Sequence, residues 1–237
     1  MNSKMEISPE GLLKRFSREH YFNLYKEEMN TSQLSDALKH QVDYKWVIPG
    51  VKPLKDEFKI IGKAVTVQTA THDWGTALKA MDLAEEGDIL FISTENIGSG
   101  NKTEHETNNE MDENGGAVWG ELTSKTAQKK GLTGTVVYGA VRDVTAIKKL
   151  NYPVFTKSVV PHAGAPLAEG KVNVPLTCGG VTVNPQDMII GDDCGVIVVR
   201  AEIFSRVMKE ALNIRKDENE IIRKIENGWS LSKILDM

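Results

Sequence analysis

The chain has 237 residues, with 29 Lys and Arg against 33 Asp and Glu, a formal charge of −4 and 40% hydrophobic residues. That size carries a full hydrophobic core, and the slight acidity argues against a nucleic-acid binder, which needs a basic footprint. No apolar run approaches a membrane span, residues 1–10 lack an apolar signal core, and Cys178 and Cys194 form no CxxC pair, so a soluble cytoplasmic globular protein is expected.

Residues 1–40 read as helical. Leu12, Leu13, Phe16, Tyr21, Leu24 and Tyr25 recur at steps of three and four, and Thr31 or Ser32 caps a second helix through Leu34, Ala37 and Leu38. Pro49, Gly50 and Pro53 break the pattern. Residues 60–67 and 89–92 have strand character, with a helix between them through Ala77, Leu78, Ala80, Met81 and Leu83. Residues 98–116 carry Asn, Glu, Lys, Thr and Asp with almost nothing apolar, which predicts a mobile loop. A helix over about 118–130 stops at Gly131. A strand follows over 135–138, then a helical turn over 144–150. From Pro153 the chain turns strand-rich, over 153–156, 172–176, 181–183, 188–190 and 196–199, with Asp192-Asp193-Cys194-Gly195 as the tight turn between the last two. The tail from Ala201 is an amphipathic helix through Ile203, Val207, Ala211 and Ile214, continuing to Ile225. With no internal repeat, one α/β domain with helices at both ends is the plainest reading.

The chemistry-bearing stretch runs from Gly115 to Asp143. Glycines flank a helix opening at Gly120-Glu121-Leu122-Thr123, and the unsatisfied N–H groups of a helix start favour an anion. About twenty residues later a strand ends at Gly139 and delivers Arg142 and Asp143 together. Arginine offers a planar fork for a carboxylate, and aspartate is a hard oxygen ligand for a divalent cation. From periodicity alone, a structural pair capping the next helix is the slightly preferred account of the same two residues. Weaker features remain beside them. Gly98-x-Gly100 lacks the third glycine of a dinucleotide loop. His105 sits in the polar tract, which lies ahead of the site helix as a lid would. His162 follows a strand, and Asp192 with Asp193 imitates a metal pair where hairpin capping is the simpler account.

The order of motifs carries a resemblance. Gly-x-x-Gly-x-Val-Val before Gly139-Ala140-Val141-Arg142-Asp143, then Pro153-Val154-Phe155, Cys178-Gly179-Gly180-Val181 with Pro185 and Asp187, and Gly191-Asp192-Asp193 with Gly195-Val196, resemble the RraA-like family. Ser35-Asp36-Ala37 and Gly62-Lys63-Ala64-Val65-Thr66-Val67 fit its N-terminal pattern, so the similarity spans about 31–235. The family holds the regulator of ribonuclease activity A and metal-dependent 4-hydroxy-4-methyl-2-oxoglutarate aldolases. The resemblance implies a single swivelling β/β/α sandwich over 1–237, assembled as a homotrimer or hexamer. It implies Mg²⁺ or Mn²⁺ at Asp143, and Arg142 on the pyruvyl group of a small 2-oxoacid. Backbone amides of Gly120, Glu121, Leu122 and Thr123 would face the pyruvate carboxylate. Glu121 stands as a catalytic carboxylate, with Glu218, or Glu220 beside it, reaching the site from a neighbouring subunit's C-terminal helix. The implied activity is a lyase that releases pyruvate, by retro-aldol cleavage or by decarboxylating oxaloacetate. The other reading within the family is a non-catalytic regulator binding a protein partner such as a ribonuclease. Tyr138, where the family often has aspartate, and the 98–116 tract are departures.

Overall fold

The structure is a computed structural model and describes residues 23–25, 28–39, 41–94 and 116–237. The expected helix at Leu12–Phe16, and the polar tract at 98–115 with Gly98, Gly100 and His105, lie outside the described residues. The chain divides into two compact units, Asp43–Ala201 and Met1–Val42 with Glu202–Met237.

In the larger unit, β3 (Ile60–Gln68), β4 (Ile89–Ser93), β5 (Gly134–Val141) and β6 (Val154–Val159) are parallel neighbours in that order. Their near-continuous apolar, β-branched runs suit strands buried on both faces. The alternation sends Ile60, Ile89, Phe91, Val136 and Phe155 to one face, and Val65, Leu90, Ile92, Val137 and Val154 to the other. Helices α2 (Gly75–Leu83), α3 (Glu121–Lys129) and α4 (Val144–Leu150) cover the second face with Ala77, Ala80, Met81, Ala127 and Ile147. The hairpin β8 (Leu176–Cys178) and β9 (Val181–Val183) covers the first, burying Leu176, Cys178, Val181 and Val183. Helices, sheet and ribbon give the β/β/α layering expected of the fold class.

The sheet continues antiparallel past β3 through β10 (Met188–Asp192) and β11 (Gly195–Val199) to β1 (Val47–Ile48). Its other end is β2 (Lys52–Pro53), paired with β6, while β7 (Lys171–Val172) pairs with β3 off this path. Strands β1 and β2 stand at opposite ends of the sheet, yet the chain from Ile48 to Lys52 reaches at most ~14 Å. The sheet therefore curls back on itself as a half-barrel around the first-face core.

Three local expectations are corrected. The apolar run 117–119 does not join the helix: Trp119 bridges Val141, and Ala117 bridges Ala163. The expected strand 172–176 breaks into β7 and β8 around Asn173, whose φ of 56° is left-handed. Strand β5 runs on to Val141, two residues beyond Gly139.

In the helical unit, α1 (Thr31–Lys39) buries Leu34, Ala37 and Leu38, and α5 (Phe204–Glu226) buries Phe204, Val207, Met208 and Ala211. The cap of α1 is Asn30, one residue before the expected Thr31. Its Oδ1 accepts from the Ser32 and Gln33 amides, and Gln33 Oε1 accepts from the Asn30 amide, a reciprocal capping box. The short α6 (Leu231–Ile234) follows, capped by Ser230. Among the described residues no helix is long and apolar enough to cross a membrane.

Candidate active site

The site forms where β5 ends beside the start of α3, the position at which open α/β sheets bind ligands. Three consecutive extended residues lock the two together. Val118 N donates to Ala140 O, Trp119 pairs with Val141, and Arg142 N donates to Trp119 O at 2.9 Å. A bulge in β5 between Val137 and Ala140, where the register against β6 slips by one residue, re-aims the strand end. The Thr156 and Ser158 hydroxyls hold this bulge by donating to Gly139 O.

Gly120 starts α3 and has no side chain to cap it. Its N–H donates to Thr123 Oγ1, and its carbonyl accepts from the Ser124 amide and hydroxyl. The buried Trp119 indole N–H donates to Ser124 Oγ at 2.8 Å, fixing the first turn from below. Gly120 offers no side chain to the Leu122 and Thr123 amides, two of the donors that a helix start leaves without an intrahelical partner. The Glu121 amide has a different role from the one expected: it donates to Asp143 Oδ2 at 3.1 Å.

Asp143 sits in the left-handed region, φ 59° and ψ 32°, at the N-cap of α4, where its own side chain makes no cap bond. Aspartate tolerates that conformation better than most residues, and here it turns the carboxylate toward α3. Arg142 Nε stands 3.6 Å from the same Oδ2, and the two side chains are 43% and 40% exposed. Gly120 is so close that a Cβ there would lie 2.7 Å from Asp143 Oδ2. Glu121, Arg142 and Asp143 line an open cleft of about 530 Å³ together with Val144, Thr145 and Ala146 at the start of α4 and with residues 159–161 where β6 ends.

The structure brings Gly120, Glu121, Leu122, Thr123, Arg142 and Asp143 to one place. The Glu121 carboxylate accepts from Lys125 one turn on. Glu218 lies in the helical unit, where it accepts from Gln33 Nε2 at 2.6 Å and stands 3.6 Å from Arg215. The Arg142–Asp143 neighbours do not cap α4 by side chain, which removes the simplest structural reason for them. Asp192 and Asp193 do cap their turn: each gives Oδ1 to the Cys194 amide. Their grouping with Cys194 is hairpin chemistry. His162 is exposed, and its carbonyl accepts from Ala117 N at 2.9 Å. Tyr138 is buried in the first-face core with Lys157 4.1 Å over its ring.

A hard divalent cation fits this cleft. Asp143 Oδ2 is tied to a backbone amide while the carboxylate stays open to solvent, and Glu121 brings a second carboxylate to the same cleft. One or two carboxylates with retained waters is how Mg²⁺ is usually held.

One residue that the sequence does not flag supports the site from behind. The Asp73 carboxylate is 1% exposed. Its Oδ1 accepts from the Gly75 and Ala168 amides, and its Oδ2 from the Glu169 amide and the Thr69 and Thr76 hydroxyls, at 2.7–3.1 Å. Burial raises its pKa, but the Ala168, Thr76, Glu169 and Gly75 donors outweigh it and hold the carboxyl well below its ordinary range. Asp73 also bridges Ala165, and Ala163 bridges Ala117, so a backbone ladder runs from this node to the start of α3.

An arginine–aspartate pair thus stands beside a helix start in an open cleft, at the strand ends of a curled mixed sheet. The profile of the RraA-like family, described as Aldolase/RraA, matches residues 31–198. A protein of Halalkalibacterium halodurans named "Putative 4-hydroxy-4-methyl-2-oxoglutarate aldolase" is 32% identical, covering 84% of this chain and 85% of that protein. An uncharacterised protein of Methanocaldococcus jannaschii is 39% identical, covering 79% and 84%. The solved RNA-processing inhibitor RraA from Thermus thermophilis superposes with a TM-score of 0.56 at 25% identity, covering 73% of this chain and 93% of that one. The chain belongs to the RraA-like family.

Proposed function

We propose that this protein is a divalent-metal-dependent lyase that cleaves short 2-oxoacids and releases pyruvate. The observation that carries this is the meeting of Arg142 and Asp143 with the start of α3 in one open cleft. The aldolase name of a relative aligned over most of both chains supports it.

Bound Mg²⁺ or Mn²⁺, held by Asp143 with water and with Glu121 alongside, would supply the Lewis acid that polarises the 2-oxo group. The chain's own residues do the rest. The Leu122 and Thr123 amides and the Arg142 fork receive the carboxylate and orient the oxoacid. In retro-aldol cleavage the C3–C4 bond breaks and its electron pair moves to C3, giving pyruvate enolate. Arg142 then lies where the enolate charge develops. The C4 hydroxyl proton passes to a carboxylate, directly or through water, and Glu121 is the cleft carboxylate other than the one assigned to the metal; a proton delivered to C3 completes the balance. Oxaloacetate loses CO₂ through the same enolate. In a homotrimer or hexamer, Glu218 on α5 is the second carboxylate, brought from a neighbouring copy. Sedimentation of a monomer at micromolar concentration would overturn that shared-site assembly.

The test is pyruvate release from 4-hydroxy-4-methyl-2-oxoglutarate, 4-hydroxy-4-methyl-2-oxopentanoate and oxaloacetate, with Mg²⁺ and with chelator. Asp143→Ala is expected to lower kcat/KM by ~10²–10³, with chelator doing the same to the parent protein. Full activity in the variant ends the role given to Asp143. If no oxoacid is cleaved, and neither Mg²⁺ nor oxalate raises the melting temperature as a ligand must, a partner-binding regulator is the better reading.

A further inference from the structure

The proposed retro-aldol substrate, 4-hydroxy-4-methyl-2-oxoglutarate, carries a second carboxylate at the end away from its keto acid. Arg142 is the single cation among the described residues that line the cleft, and it shares that lining with the carboxylates of Glu121 and Asp143. With Arg142 and the start of α3 given to the first carboxylate, the second meets like charge. Its counter-charge has to come from the edge of the cleft. Lys125 stands there. It lies one turn beyond Glu121 on α3, and a helical side chain leans toward the N-terminus, so its stem runs back to the helix start. Its Nζ donates to Glu121 Oε1, which sets the ammonium against a carboxylate of the lining. The two side chains are 55% and 37% exposed. An exposed pair at this spacing contributes little to stability, so trading one carboxylate for another costs little. A flexible stem carrying a compact charge suits that exchange.

We infer that Lys125 is the specificity-determining residue for the far carboxylate of a dicarboxylic 2-oxoacid, and that it leaves Glu121 for that carboxylate when the substrate binds. The inference rests on the lyase reading for the ligand class. In the empty cleft Lys125 occupies Glu121, the group that takes the C4 hydroxyl proton in the proposed reaction. A dicarboxylate draws Nζ onto its own oxygen and releases Glu121 to accept that proton. A monocarboxylate offers nothing in exchange and leaves the pair closed. One lysine thus recognises the far end of the substrate and frees the base in the same movement.

The matched pair that tests this is 2-oxoglutarate and 2-oxopentanoate, which differ only by carboxylate against methyl at the far end. Neither carries the C4 hydroxyl that cleavage needs. Titration calorimetry of the full chain with Mg²⁺ present should give about tenfold tighter binding of 2-oxoglutarate. Lys125→Met should remove or reverse that preference, because Glu121 then faces the second carboxylate unpaired. Lys125→Arg should keep most of it. The ratio is the readout, since a disturbed fold or metal site weakens both ligands alike. The catalytic counterpart is kcat/KM for 4-hydroxy-4-methyl-2-oxoglutarate against 4-hydroxy-4-methyl-2-oxopentanoate, a ratio that should fall to a similar extent in Lys125→Met. No preference for 2-oxoglutarate in the parent, or a preference that survives Lys125→Met, overturns the inference even if pyruvate is released. A preference lost in Lys125→Met, with no oxoacid cleaved by the parent, upholds the role of Lys125 and ends the lyase reading instead.

Discussion

Replacing Asp73 with asparagine is expected to destabilise the larger unit by about 3–4 kcal/mol at neutral pH, and the deficit is expected to shrink in acid. The carboxylate accepts five hydrogen bonds in a buried setting, three of them from backbone amides that have no other role in a strand or helix ladder. Hydrogen bonds to a charged group contribute ~1.5–3 kcal/mol each in isolation and are not additive, so a total near 3–4 is a moderate figure. Asparagine keeps the shape but turns a donating amide NH₂ toward donors. The sign of the pH effect follows from the depressed pKa. The stability from the charged form is complete above the ordinary carboxyl value of 3.8 and is lost as pH falls below it toward the lower folded-state value. Wild type should therefore lose about 1 kcal/mol relative to the variant by pH 3 and about 2 by pH 2. Thermal or urea melts at pH 7, 3 and 2 check this. A gap that stays constant across that range would show that Asp73 is not held as a carboxylate.

What the sequence reveals and what it hides divide along physical lines. The parallel strands are legible because β-branched runs such as Ile89-Leu90-Phe91-Ile92 have one comfortable conformation, and both their faces are buried. The Arg142–Asp143 pair is legible because a planar cation beside a hard carboxylate shows in residue identity alone. Asp73 is not, since three of its five donors are backbone amides, which leave no trace in residue identity. Ala168 and Glu169, which supply two of them, are about ninety-five residues downstream. The extended path of 117–119 is hidden for a similar reason. Val118 and Trp119 read as an amphipathic start, but the end of β5 offers them ladder partners that outcompete a helical turn. The Glu121 amide illustrates a subtler loss. A helix start predicts donors for an anion, and the structure supplies one from within the chain, Asp143, leaving the next two amides for a ligand. The family match over 31–198 rests on the legible part.

Gly120→Ala is expected to abolish most activity while leaving the fold nearly as stable as before. The glycine's φ of −162° is extended backbone that alanine adopts freely, so no conformational penalty arises there. The added Cβ would lie 2.7 Å from Asp143 Oδ2, 3.2 Å from Arg142 Cγ and 3.5 Å from Arg142 Nε. Those atoms belong to half-exposed side chains that can swing away, at a cost under about 1 kcal/mol. What they cannot do is swing away and keep their alignment with the start of α3. A displacement near 1 Å at a catalytic group costs on the order of 10² in rate, so kcat/KM for pyruvate release should fall about a hundredfold. The shift in melting temperature produced by oxalate should also vanish. Gly164→Ala is the contrast, because its Cβ would fall 1.8 Å from the His72 carbonyl oxygen, a backbone atom with nowhere to go. That variant should lose several kcal/mol of stability through overpacking and backbone shift, a drop that thermal melts will separate from the small one at Gly120. If Gly120→Ala cleaves oxoacids at the parent rate, the contact between α3 and the Arg142–Asp143 pair is not the seat of the chemistry.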